Sequence, residues 1–557
     1  MGDQAVSEQE QLTLRVLSAL LREDVLGLRS GGLVESRPDG PWLTDGALAL
    51  PVAEEGFQSE YAVRLPLLEV YGTPLTGLEE ILAELRGFAD PQDRDGYLAF
   101  AEECRQTLDT MRLHGSAQPA VLDALADRFG ADPAHWGGLT ATLGFDALAA
   151  YLDHPVYPTA RGRSGLDERQ LRSYAPEFAP SFELRWLAVP ERELTVAGRG
   201  PLPAWWPTAA DLGLSGDYLT IPVHPLTVDA EPEKLLPGAV LAERPYLRVT
   251  PTLSMRTVAV VQDPACHLKL PLATATLGLR NRRTIKQGVL EDGAAGQRLL
   301  EAVIEREPRF AGRILHADEQ CFARADHELL AVLLRRYPAG LAESVTVPLA
   351  ALLATAPGGR LVIDHLADRF YGGSIRQLYR EFLELLLDWQ TTLFGYGIAL
   401  ESHQQNTSLV LDENGLRLLY KDNDGPRINP ARLGELGDFA AEFDDPRTFG
   451  EDDRALTDLF TTITGHLCTA SLAFGLAAHG RVPLTETLDL LRTELDTAIR
   501  RIGPAGWSLR AALLDADRLP VKAMVTAGSL LSKERSGARD VNKHYTDGPN
   551  YLRTVAR

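Results

Sequence analysis

The chain has 557 residues, 45% of them hydrophobic and 24% charged, and these proportions are typical of a globular protein rather than a disordered one. Its length predicts two or three domains with substantial cores. The formal net charge of −21 argues against a protein that covers nucleic acid or an anionic membrane, so any anion site must be a local basic pocket.

The cysteines and the apolar segments bear on cellular location. The four cysteines are far apart and show no CxxC spacing, which argues against a zinc site or a disulfide framework and fits a reducing cytoplasm. The N-terminus has acidic residues before its apolar stretch and no basic region, unlike a secretory signal. The most apolar long stretch, TTITGHLCTASLAFGLAAHG, is interrupted by His466. It is predicted to be a buried helix, with a membrane span as the alternative.

The first 150 residues are predicted to be mainly helical. Four segments carry apolar side chains at helical spacing: EQLTLRVLSALLRE, GLEEILAELRGFAD, DGYLAFAEECRQTLDTMRLHG and AVLDALADRFG. The stretch from 40 to 70 is more strand-like. From about 150 to 290, short β-type runs with many prolines predict a sheet-containing middle domain.

Helical patterns return after residue 290, in QRLLEAVIERE, HELLAVLLRRYP and SIRQLYREFLELLLDWQTTLFGYG. A β-hairpin and a largely helical C-terminal third follow. The sequence therefore predicts an α+β fold in three parts. These are a helical region at 1–150, a sheet-containing region at 151–385, and a hairpin plus helical region at 386–557.

The stretch IALESHQQNTSLVLDENG places a polar cluster between a hydrophobic segment and the hairpin. Asn414-Gly415, flanked by β-type residues, is a strong signal for a two-residue hairpin loop. In that register Thr407 faces Asp422 and Asn406 faces Asn423. The polar cluster and KDNDG would then meet at the open end of one hairpin.

Oxygen ligands at this open end suit a magnesium ion. The carboxylates of Glu401 and Asp422, with the amide oxygen of Asn406, are the hard donors that Mg²⁺ prefers, and the ion would itself hold phosphate oxygens. A shifted register would give the role of Asp422 to Asp424. The alternative interpretation is a solvated loop with an Asx-type turn.

The stretch TPTLSMRTVAVVQDPACHLKL predicts two paired strands that carry cations. On a strand, Ser254 and Arg256 point to one face and Thr257 to the other. A loop around QDPA returns the chain, so that Lys269 lies across from Val258 on the Arg256 face. One hydroxyl and two cations would then form a cradle for a polyphosphate.

Further cations follow in LGLRNRRTIK, namely Arg280, Arg282, Arg283 and Lys286. In a chain of net charge −21 this run fits a phosphate contact as well as it fits a solvated surface loop.

A loop made extended by two prolines, DHPVYPTARGRSG, spans Asp153–Gly165. Four of its side chains suit recognition of a carboxylate-rich substrate: His154, Thr159, Arg161 and Arg163. A purely structural turn explains this piece equally well. His224 in IPVHP precedes a proline and is more typical of a packed turn than of a catalytic base.

In this order, the elements resemble the NRPS-independent siderophore synthetases, the IucA/IucC or aerobactin-synthetase-like family. HPVYPTARGRSG is similar to that family's HPxHPxxKxRxG substrate loop, PVHP to a mid-chain element, and SMRT to its SxRT nucleotide motif. HQQN is similar to its HGQN motif and KDNDG to its RD-x-x-G motif, and VKAMVTAGSLLSKERS with GPNYL resembles the closing helix and tail. The resemblance covers roughly residues 145 to 555. It implies a thumb, fingers and palm architecture with ATP between the last two.

The resemblance also implies roles for the matched residues. Those that would contact the phosphates are Ser254, Arg256, Thr257, Lys269 and Arg280, with Arg282 and Arg283 as alternatives to Arg280. Those that would lie beside the nucleotide are His403, Gln405 and Asn406, and the ligands of Mg²⁺ would be Glu401, Asn406 and Asp422. Those that would face the carboxylate or the nucleophile are His154, Thr159, Arg161 and Arg163. Catalysis would depend on His154, Arg256 and Lys269.

The reaction implied by the resemblance activates a carboxylate with ATP as an acyl-adenylate, releases pyrophosphate, and lets an amine or alcohol displace AMP. The chain would thus be an AMP-forming ligase that uses ATP and Mg²⁺, acting on citrate or a related carboxylate. Three positions depart from the pattern, Tyr157 for histidine, Arg161 for lysine and Gln404 for glycine, and they bear mainly on the acyl substrate. Small-molecule partners are expected, without nucleic acid or membrane, and a homodimer is left open.

Two other functions fit some of these features. A kinase-like phosphotransferase also places its metal ligands with a His-x-x-Asn motif, a hairpin and an aspartate. Against it, the sequence has no GxGxxG loop and no VAIK-type strand. The other is a non-catalytic siderophore-handling protein, because the C-terminal region of the family also resembles iron-reductase-type proteins. Against that, the cysteines do not cluster as an Fe–S centre requires.

Overall fold

The N-terminal region combines a helix with an antiparallel sheet. A computed structural model describes residues 6–198, 202–423, 425–536 and 544–553. Helix α1 (Glu8–Arg22) begins at a capping box between Ser7 and Glu10. Six strands follow: β1 (Leu33–Arg37), β2 (Gly40–Asp45), β3 (Leu48–Glu54), β4 (Tyr61–Val63), β5 (Leu68–Val70) and β6 (Thr73–Leu75). Their order is β1-β2-β3-β5-β6, with β4 paired to β3. The strand-like stretch is thus a whole sheet, and the region is less helical than predicted.

Three helices complete this region: α2 (Leu78–Phe88), α3 (Arg94–Phe129) and α4 (Leu139–Ala149). Helix α3 joins two segments that the sequence predicts as separate helices. Pro119 lies inside it without ending it, because buried side chains on both sides, among them Met111 and Leu125, hold the helix against the core.

The middle region consists mainly of a nine-stranded antiparallel sheet. Its helices are α5 (Glu168–Tyr174) and α6 (Val289–Arg306). The strands before α6 are β7 (Phe182–Pro190), β8 (Thr195–Ala197), β9 (Tyr218–Val223), β10 (Val240–Leu241), β11 (Tyr246–Pro251), β12 (Thr257–Val260) and β13 (Asp263–Lys269). Those after it are β14 (Ile314–His316), β15 (Asp318–Arg324), β16 (Ala331–Arg336) and β17 (Val345–Pro348). The sheet order is β10-β7-β11-β12-β13-β16-β15-β8, with β9 paired to β7.

The segment HELLAVLLRRYP contains strand β16, so its prediction as a helix is wrong. The strand pairs on both sides, since Leu334 lies opposite Leu268 of β13 and Cys321 of β15. All of its residues except Arg336 are buried. A strand that is buried on both faces is apolar throughout and shows no alternation of polar and apolar residues. Its sequence pattern therefore cannot be distinguished from that of a buried helix.

The C-terminal region surrounds a small mixed sheet with helices. Its helices are α7 (Val362–Tyr371), α8 (Ile375–Gly395), α9 (Arg454–Leu459), α10 (Ser471–Ala478), α11 (Leu484–Arg501), α12 (Trp507–Arg510) and α13 (Lys533–Ser536). Its strands are β18 (Ile398–Ala399), β19 (Thr407–Asp412), β20 (Gly415–Tyr420), β21 (Arg427–Ile428), β22 (Arg518–Lys522) and β23 (Tyr545–Pro549). The hairpin β19–β20 joins β14 and β17 in the order β14-β20-β19-β17. The predicted boundary after residue 385 therefore falls inside α8, and two earlier strands belong to this sheet.

Helix α9 continues through a π-helical segment, Phe460–Ala470, into α10. This run, Arg454–Ala478, is long and apolar enough to cross a membrane, and 83% of its most apolar window is buried inside the protein. The burial agrees with the prediction of a core helix.

Two main hydrophobic cores divide the chain differently from the three predicted parts. The larger joins N-terminal side chains such as Leu20 to C-terminal ones such as Phe382 and Trp389. The second, which includes Trp186 and Leu334, lies against the nine-stranded sheet. The two ends of the chain therefore share one core, and the middle sheet has its own.

Candidate active site

A large cavity of about 1210 Å³ lies where the middle sheet, the loop after α4 and the C-terminal elements meet. Among the described residues, twelve arginines and lysines line it but only four aspartates and glutamates, although the whole chain carries −21. The cavity is a local basic pocket, which is the kind of site that an anion needs in a chain of this net charge. The twelve cationic residues are Arg161, Arg163, Arg256, Lys269, Arg282, Arg283, Lys286, Arg335, Lys421, Arg427, Arg447 and Lys522.

The SMRT motif forms a turn ahead of β12, which begins at Thr257. Met255 has a φ of 64°, in the left-handed region, so the predicted alternation of Ser254 and Arg256 along a strand is wrong. The Ser254 hydroxyl accepts the Thr257 N–H at 3.1 Å and donates to the Thr257 hydroxyl at 3.0 Å. The turn nevertheless keeps Ser254, Arg256 and Thr257 on the cavity wall.

Arg256 fixes the loop that carries the next cations. Its guanidinium donates to the carbonyl oxygens of Arg283 at 3.3 Å and Thr284 at 3.0 Å. Burial, and next the neighbouring charge of Arg256, lower the pKa of Arg283 to about 9. A bound polyanion would relieve this repulsion between the two arginines.

The hairpin loop is Glu413-Asn414, not Asn414-Gly415. Asp412 pairs with Gly415 and Thr407 with Tyr420, so the predicted pairing of Thr407 with Asp422 is wrong by two residues. The Asp412 carboxylate accepts the Asn414 N–H at 2.8 Å, which stabilises the loop in this position.

The polar cluster and KDNDG still meet at the open end of the hairpin. The Lys421 N–H donates to the Asn406 carbonyl oxygen at 2.9 Å. Glu401, Asn406 and Asp422 all line the cavity, as do His403 and Gln405.

Asp422 lies between two buried cations. Lys269 Nζ donates to its two carboxylate oxygens at 3.0 and 3.2 Å, and Arg335 is 3.7 Å away. Lys269 lies opposite Thr257 in the β12–β13 ladder, one position from the predicted Val258. Burial opposes ionisation of Asp422, but Lys269 and Arg335 outweigh it and hold the pKa of the carboxyl well below its usual value.

Arg335 is a cavity residue that the sequence reasoning missed, because its segment was predicted as helix. Its Nε donates to Glu319 Oε1 at 2.7 Å, and Glu319 also accepts the Asn423 N–H at 3.2 Å. Arg335 and Glu319 are 5% and 1% exposed. Burial opposes the charge of Arg335, but Glu319 outweighs it and raises the pKa, so the guanidinium stays charged.

The candidate magnesium ligands are chemically suitable, and each already has a partner. Glu401 Oε1 lies 3.4 Å from Lys522 Nζ, and Asn406 donates its amide N–H to the Glu401 carbonyl oxygen at 3.2 Å. Two carboxyl groups and an amide oxygen fit Mg²⁺ when phosphate oxygens complete the coordination. The described residues contain no group of three histidines, cysteines or acids that could hold a metal without such help. Asp424, the alternative to Asp422, lies outside the described residues.

His154 faces the cavity as a hydrogen-bond donor. Its Nδ1 accepts the backbone N–H groups of Val156 at 3.3 Å and Tyr157 at 3.0 Å, so the proton of the neutral ring is on Nε2. Burial first, and then His403, lower the pKa of His154 to about 3. Burial lowers the pKa of His403 as well. A neutral ring with Nε2–H suits binding of a carboxylate better than proton abstraction.

The substrate loop divides between cavity and core. Arg161 and Arg163 line the cavity, and Arg161 Nε donates to Asp153 Oδ1 at 2.7 Å. Thr159 does not line it. Thr159 is 1% exposed and donates to Glu103 Oε1 at 2.6 Å, so the predicted substrate contact becomes a support behind the loop.

Arg280 also points away from the cavity. It donates to the carbonyl oxygens of Ala527 at 3.3 Å and Ser529 at 3.5 Å, whereas Arg282 and Arg283 line the cavity. Of the three alternatives, Arg280 is therefore the one not placed to reach phosphate.

Three further residues are His224, which the sequence analysis assigned to a packed turn, and Lys421 and Lys522, which it did not assign to the site. His224 is buried and its Nδ1 accepts the Leu226 N–H at 3.1 Å, as a packed turn requires. Lys421 and Lys522 line the cavity but were not predicted as site residues. Both belong to motifs that carry the family resemblance, and that was the signal available for them.

Solved structures share this fold over nearly the whole chain. The ATP-bound aerobactin synthetase IucA from a hypervirulent pathotype of Klebsiella pneumoniae aligns with a TM-score of 0.70 and 18% identity, covering 98% of this chain and 100% of that one. The petrobactin biosynthesis protein AsbB from Bacillus anthracis str. Sterne aligns with a TM-score of 0.75 and 17% identity, covering 98% and 95%. The chain thus has the α+β fold of these siderophore biosynthesis proteins.

Sequence comparison finds two family models and several named relatives. The IucA / IucC family model matches residues 144–354, and a model of the ferric iron reductase FhuF-like transporter matches residues 377–535. The staphyloferrin B synthase of Staphylococcus aureus (strain NCTC 8325 / PS 47) is 24% identical, over 73% of this chain and 76% of that protein. The aerobactin synthase of Escherichia coli is 26% identical, over 60% and 64%. The chain is thus similar to proteins of the IucA/IucC family.

The region that matches the FhuF-like model has too few cysteines to hold an Fe–S cluster through thiolates. Cys468 is the one cysteine between residues 377 and 535, and its Sγ donates to the Ser402 carbonyl oxygen at 2.7 Å. All four cysteines of the chain are buried, and none of them is in a disulfide.

Proposed function

We propose that this protein is an ATP-dependent siderophore synthetase that activates a carboxylate as an acyl-adenylate and condenses it with an amine or an alcohol. The carboxylate is citrate or a citrate or dicarboxylate derivative. One observation carries the proposal: the SMRT turn, the KDNDG end of the hairpin and the substrate loop line a single cationic cavity. Relatives named as aerobactin synthase and D-ornithine–citrate ligase, 26% and 25% identical, support the same class of reaction.

The first step requires positive charge around the phosphates. An oxygen of the carboxylate attacks the α-phosphorus, and the bond to the departing pyrophosphate breaks. Arg256, Lys269 and Arg335 are preorganised by hydrogen bonds to protein groups, so they stabilise the developing negative charge without large reorganisation. Arg283 adds a further cation on the same cavity.

The carboxylate needs to be held in line with the α-phosphorus. His154 offers an Nε2–H donor, and Arg161 offers a guanidinium already anchored by Asp153. Both belong to one loop, which suits orientation of an anionic substrate. In the second step the amine or alcohol attacks the acyl carbon, the bond to AMP breaks, and the nucleophile loses a proton.

Magnesium fits the same wall. Glu401, Asn406 and Asp422 would hold the ion, which when bound would neutralise phosphate charge. Lys269 and Lys522 already neutralise two of these ligands and would have to shift their contacts toward phosphate. The cytoplasm is the expected location of this ATP-dependent reaction.

The products of the reaction test the proposal. With Mg-ATP and a panel of polycarboxylates, we expect pyrophosphate and AMP, and hydroxylamine should trap an acyl hydroxamate only when ATP and the right carboxylate are both present. ADP and phosphate as the sole nucleotide products would instead support a phosphotransferase. No carboxylate-dependent turnover of ATP at all would contradict both.

The Arg256→Ala variant tests whether the cationic wall stabilises the transition state of this reaction. Loss of one preorganised donor at a charged transition state typically costs about 2.7–4 kcal/mol, or roughly 10²–10³ in kcat. We expect that loss in carboxylate-dependent pyrophosphate release, with the circular dichroism spectrum unchanged. A near-normal rate would contradict the role of Arg256.

A further inference from the structure

The carboxylate of Asp153 lies on the cavity wall directly before His154, one of the two residues proposed to hold the substrate carboxylate. An anion in this position repels an anionic substrate. Because the Asp153 side chain is only 29% exposed, solvent screens its charge in part. The substrate loop therefore needs a positive charge that offsets Asp153.

Helix α1 supplies that charge from behind the loop. Arg15 Nη1 forms an ion pair with Asp153 Oδ2, while the other carboxylate oxygen, Oδ1, accepts the Arg161 Nε–H at 2.7 Å. Asp153 thus lies between two guanidinium groups. Arg161 lines the cavity and Arg15 does not.

Arg15 also holds the backbone of the loop. Its Nη2 donates to the carbonyl oxygens of His154 at 3.2 Å and Tyr157 at 3.3 Å. Two turns further along α1, on the same face, Arg22 donates to the carbonyl oxygen of Val156. One face of this helix therefore fixes both the backbone and the charge at the start of the loop.

The ion pairs leave the outer end of the Arg161 guanidinium to the cavity. Its Nε is bound to Asp153, and no described residue accepts a hydrogen bond from its Nη1 or Nη2. These two nitrogens present their N–H groups in the fork geometry that fits a carboxylate. The strength of such a contact depends on how far Asp153 cancels the charge of Arg161.

A second carboxylate near the loop, Glu177, is compensated separately. Burial opposes its ionisation, but the charge of Arg163, together with hydrogen bonding, outweighs burial and lowers its pKa. The charges that remain are those of Arg15, Arg161 and Asp153. They leave one positive charge in excess when Arg15 is present and none when it is absent.

We propose that Arg15 is a positioning residue that determines the affinity for the carboxylate substrate. It neutralises Asp153 from behind the loop, so that the charge of Arg161 remains available to a carboxylate in the cavity. Arg15 does not touch the substrate and acts through Asp153. This inference rests on the proposed function and assigns part of its substrate specificity to α1, outside the cavity.

Steady-state kinetics test the role of Arg15. Pyrophosphate release is measured with Mg-ATP and the polycarboxylate that gives the highest yield in hydroxylamine trapping, starting with citrate. In Arg15→Gln, we expect KM for the carboxylate to rise about tenfold or more, which is the size expected from a weakened charge-assisted hydrogen bond. KM for ATP and kcat should stay within about threefold, since a change confined to one KM reports lost binding of that substrate.

A second substitution separates charge from shape. When Asp153→Asn is added to Arg15→Gln, the amide oxygen can still accept the Arg161 Nε–H, but the negative charge is gone. The charge of Arg161 is then available again, and we expect KM for the carboxylate to return to within about threefold of the wild-type value. A merely structural role for Arg15 predicts no such rescue.

Two single variants keep the test independent of the folding of Arg15→Gln. Asp153→Asn alone should leave KM for the carboxylate unchanged or lower it, because it removes an anion beside the substrate. Arg15→Lys keeps the positive charge and should keep KM for the carboxylate within about threefold of the wild-type value. A tenfold rise in either variant would contradict the charge argument.

Arg37→Gln is the matched control. Arg37 of β1 forms an ion pair with Glu69 at 3.0 Å, its side chain is 28% exposed against 24% for Arg15, and its ion-pair partner is not in the substrate loop. Loss of this N-terminal ion pair should leave KM for the carboxylate at the wild-type value. An equal rise in the control would show a general effect of losing an arginine from the N-terminal region.

The outcomes separate this inference from the proposed function. If Arg15→Gln raises KM for ATP as much as KM for the carboxylate, or if Asp153→Asn does not rescue it, the role of Arg15 is wrong while the synthetase proposal stands. If no carboxylate supports hydroxylamine trapping in the wild type, the proposed function fails and the role of Arg15 fails with it.

Discussion

Asp422 is the carboxylate that balances the charges of Lys269 and Arg335 on the cavity wall. It accepts two hydrogen bonds from Lys269, which is 2% exposed, and it lies 3.7 Å from the buried Arg335. Removing one partner from a buried ion network of this kind is destabilising, because it leaves an uncompensated charge inside the protein. Asp422 therefore supports the structure of the wall, and under the proposed function it would also offer an oxygen to Mg²⁺.

We expect Asp422→Asn to destabilise the protein, because it leaves Lys269 and Arg335 with less negative charge nearby. Removing one partner of a buried pair typically costs about 3–5 kcal/mol. Urea denaturation at pH 7 without nucleotide measures the loss of unfolding free energy. The exposed Asp109→Asn on α3, whose partner is Arg112 at 3.5 Å, is the control and should leave the transition unchanged.

The same variant gives a pH test. The pKa of Asp422 is lower in the folded state than its unfolded value of about 3.9, so the stability that its charge supplies is complete above that value and is lost as the pH falls toward the folded pKa. The difference between wild type and Asp422→Asn should therefore shrink below pH of about 4. A constant difference from pH 7 to pH 3 would contradict the role of this charge.

The substrate loop, Asp153–Gly165, is positioned from behind by α3. Glu103 of that helix accepts the Tyr157 hydroxyl at 2.7 Å and the Thr159 hydroxyl through the same oxygen, and its other oxygen accepts the Ser529 hydroxyl at 2.8 Å. One buried carboxylate thus joins the loop to the C-terminal segment that carries Lys522. We expect the orientation of His154 and Arg161 in this loop to depend on the contact with Glu103.

We expect Glu103→Gln to loosen the loop while keeping the fold. The amide nitrogen cannot accept a hydrogen bond, so at least one buried hydroxyl must reorient or lose its partner, at a cost of about 1–3 kcal/mol. Hydrogen exchange at the Gly162 N–H, which donates to the Thr159 carbonyl oxygen at 3.0 Å, should become faster.

Glu23→Gln is the matched control for that experiment. Glu23 is also buried and accepts the N–H groups of Val525 and Thr526, but it does not contact the substrate loop. Its variant should lose stability without faster exchange at Gly162. Equal acceleration in both variants would show a general loosening instead of a specific support of the loop.

At the scale of the whole molecule, the charge distribution is strongly uneven. A chain of net charge −21 concentrates twelve described arginines and lysines around one cavity. The repulsion among them is a cost of the unliganded state, which a compact polyanion offsets. Binding to the folded state alone must raise the unfolding temperature.

We therefore expect pyrophosphate at millimolar concentration to raise the melting temperature by several degrees. Sodium chloride at the same ionic strength should have a much smaller effect, because screening without specific contacts relieves less of the repulsion. Thermal unfolding followed by fluorescence measures both. Equal shifts with the two salts would contradict a specific polyphosphate site.

The sequence by itself determined the fold class and the family resemblance, and most of the site residues that it indicated line the cavity. Periodicity, turn residues and ordered motifs are local signals, and they correctly indicated the long helices, the hairpin, the free cysteines and the cavity positions of Ser254, Arg256 and Lys269. The tertiary structure decided what depends on distant contacts. It made HELLAVLLRRYP a strand because two neighbours pair with it, and it set the hairpin loop at Glu413-Asn414. It also turned Thr159 and Arg280 away from the cavity, toward Glu103 and the C-terminal carbonyls. The hairpin loop is stabilised by the nearby Asp412, but the other outcomes depend on partners far away in the chain. No local pattern encodes which partner a buried polar group will find.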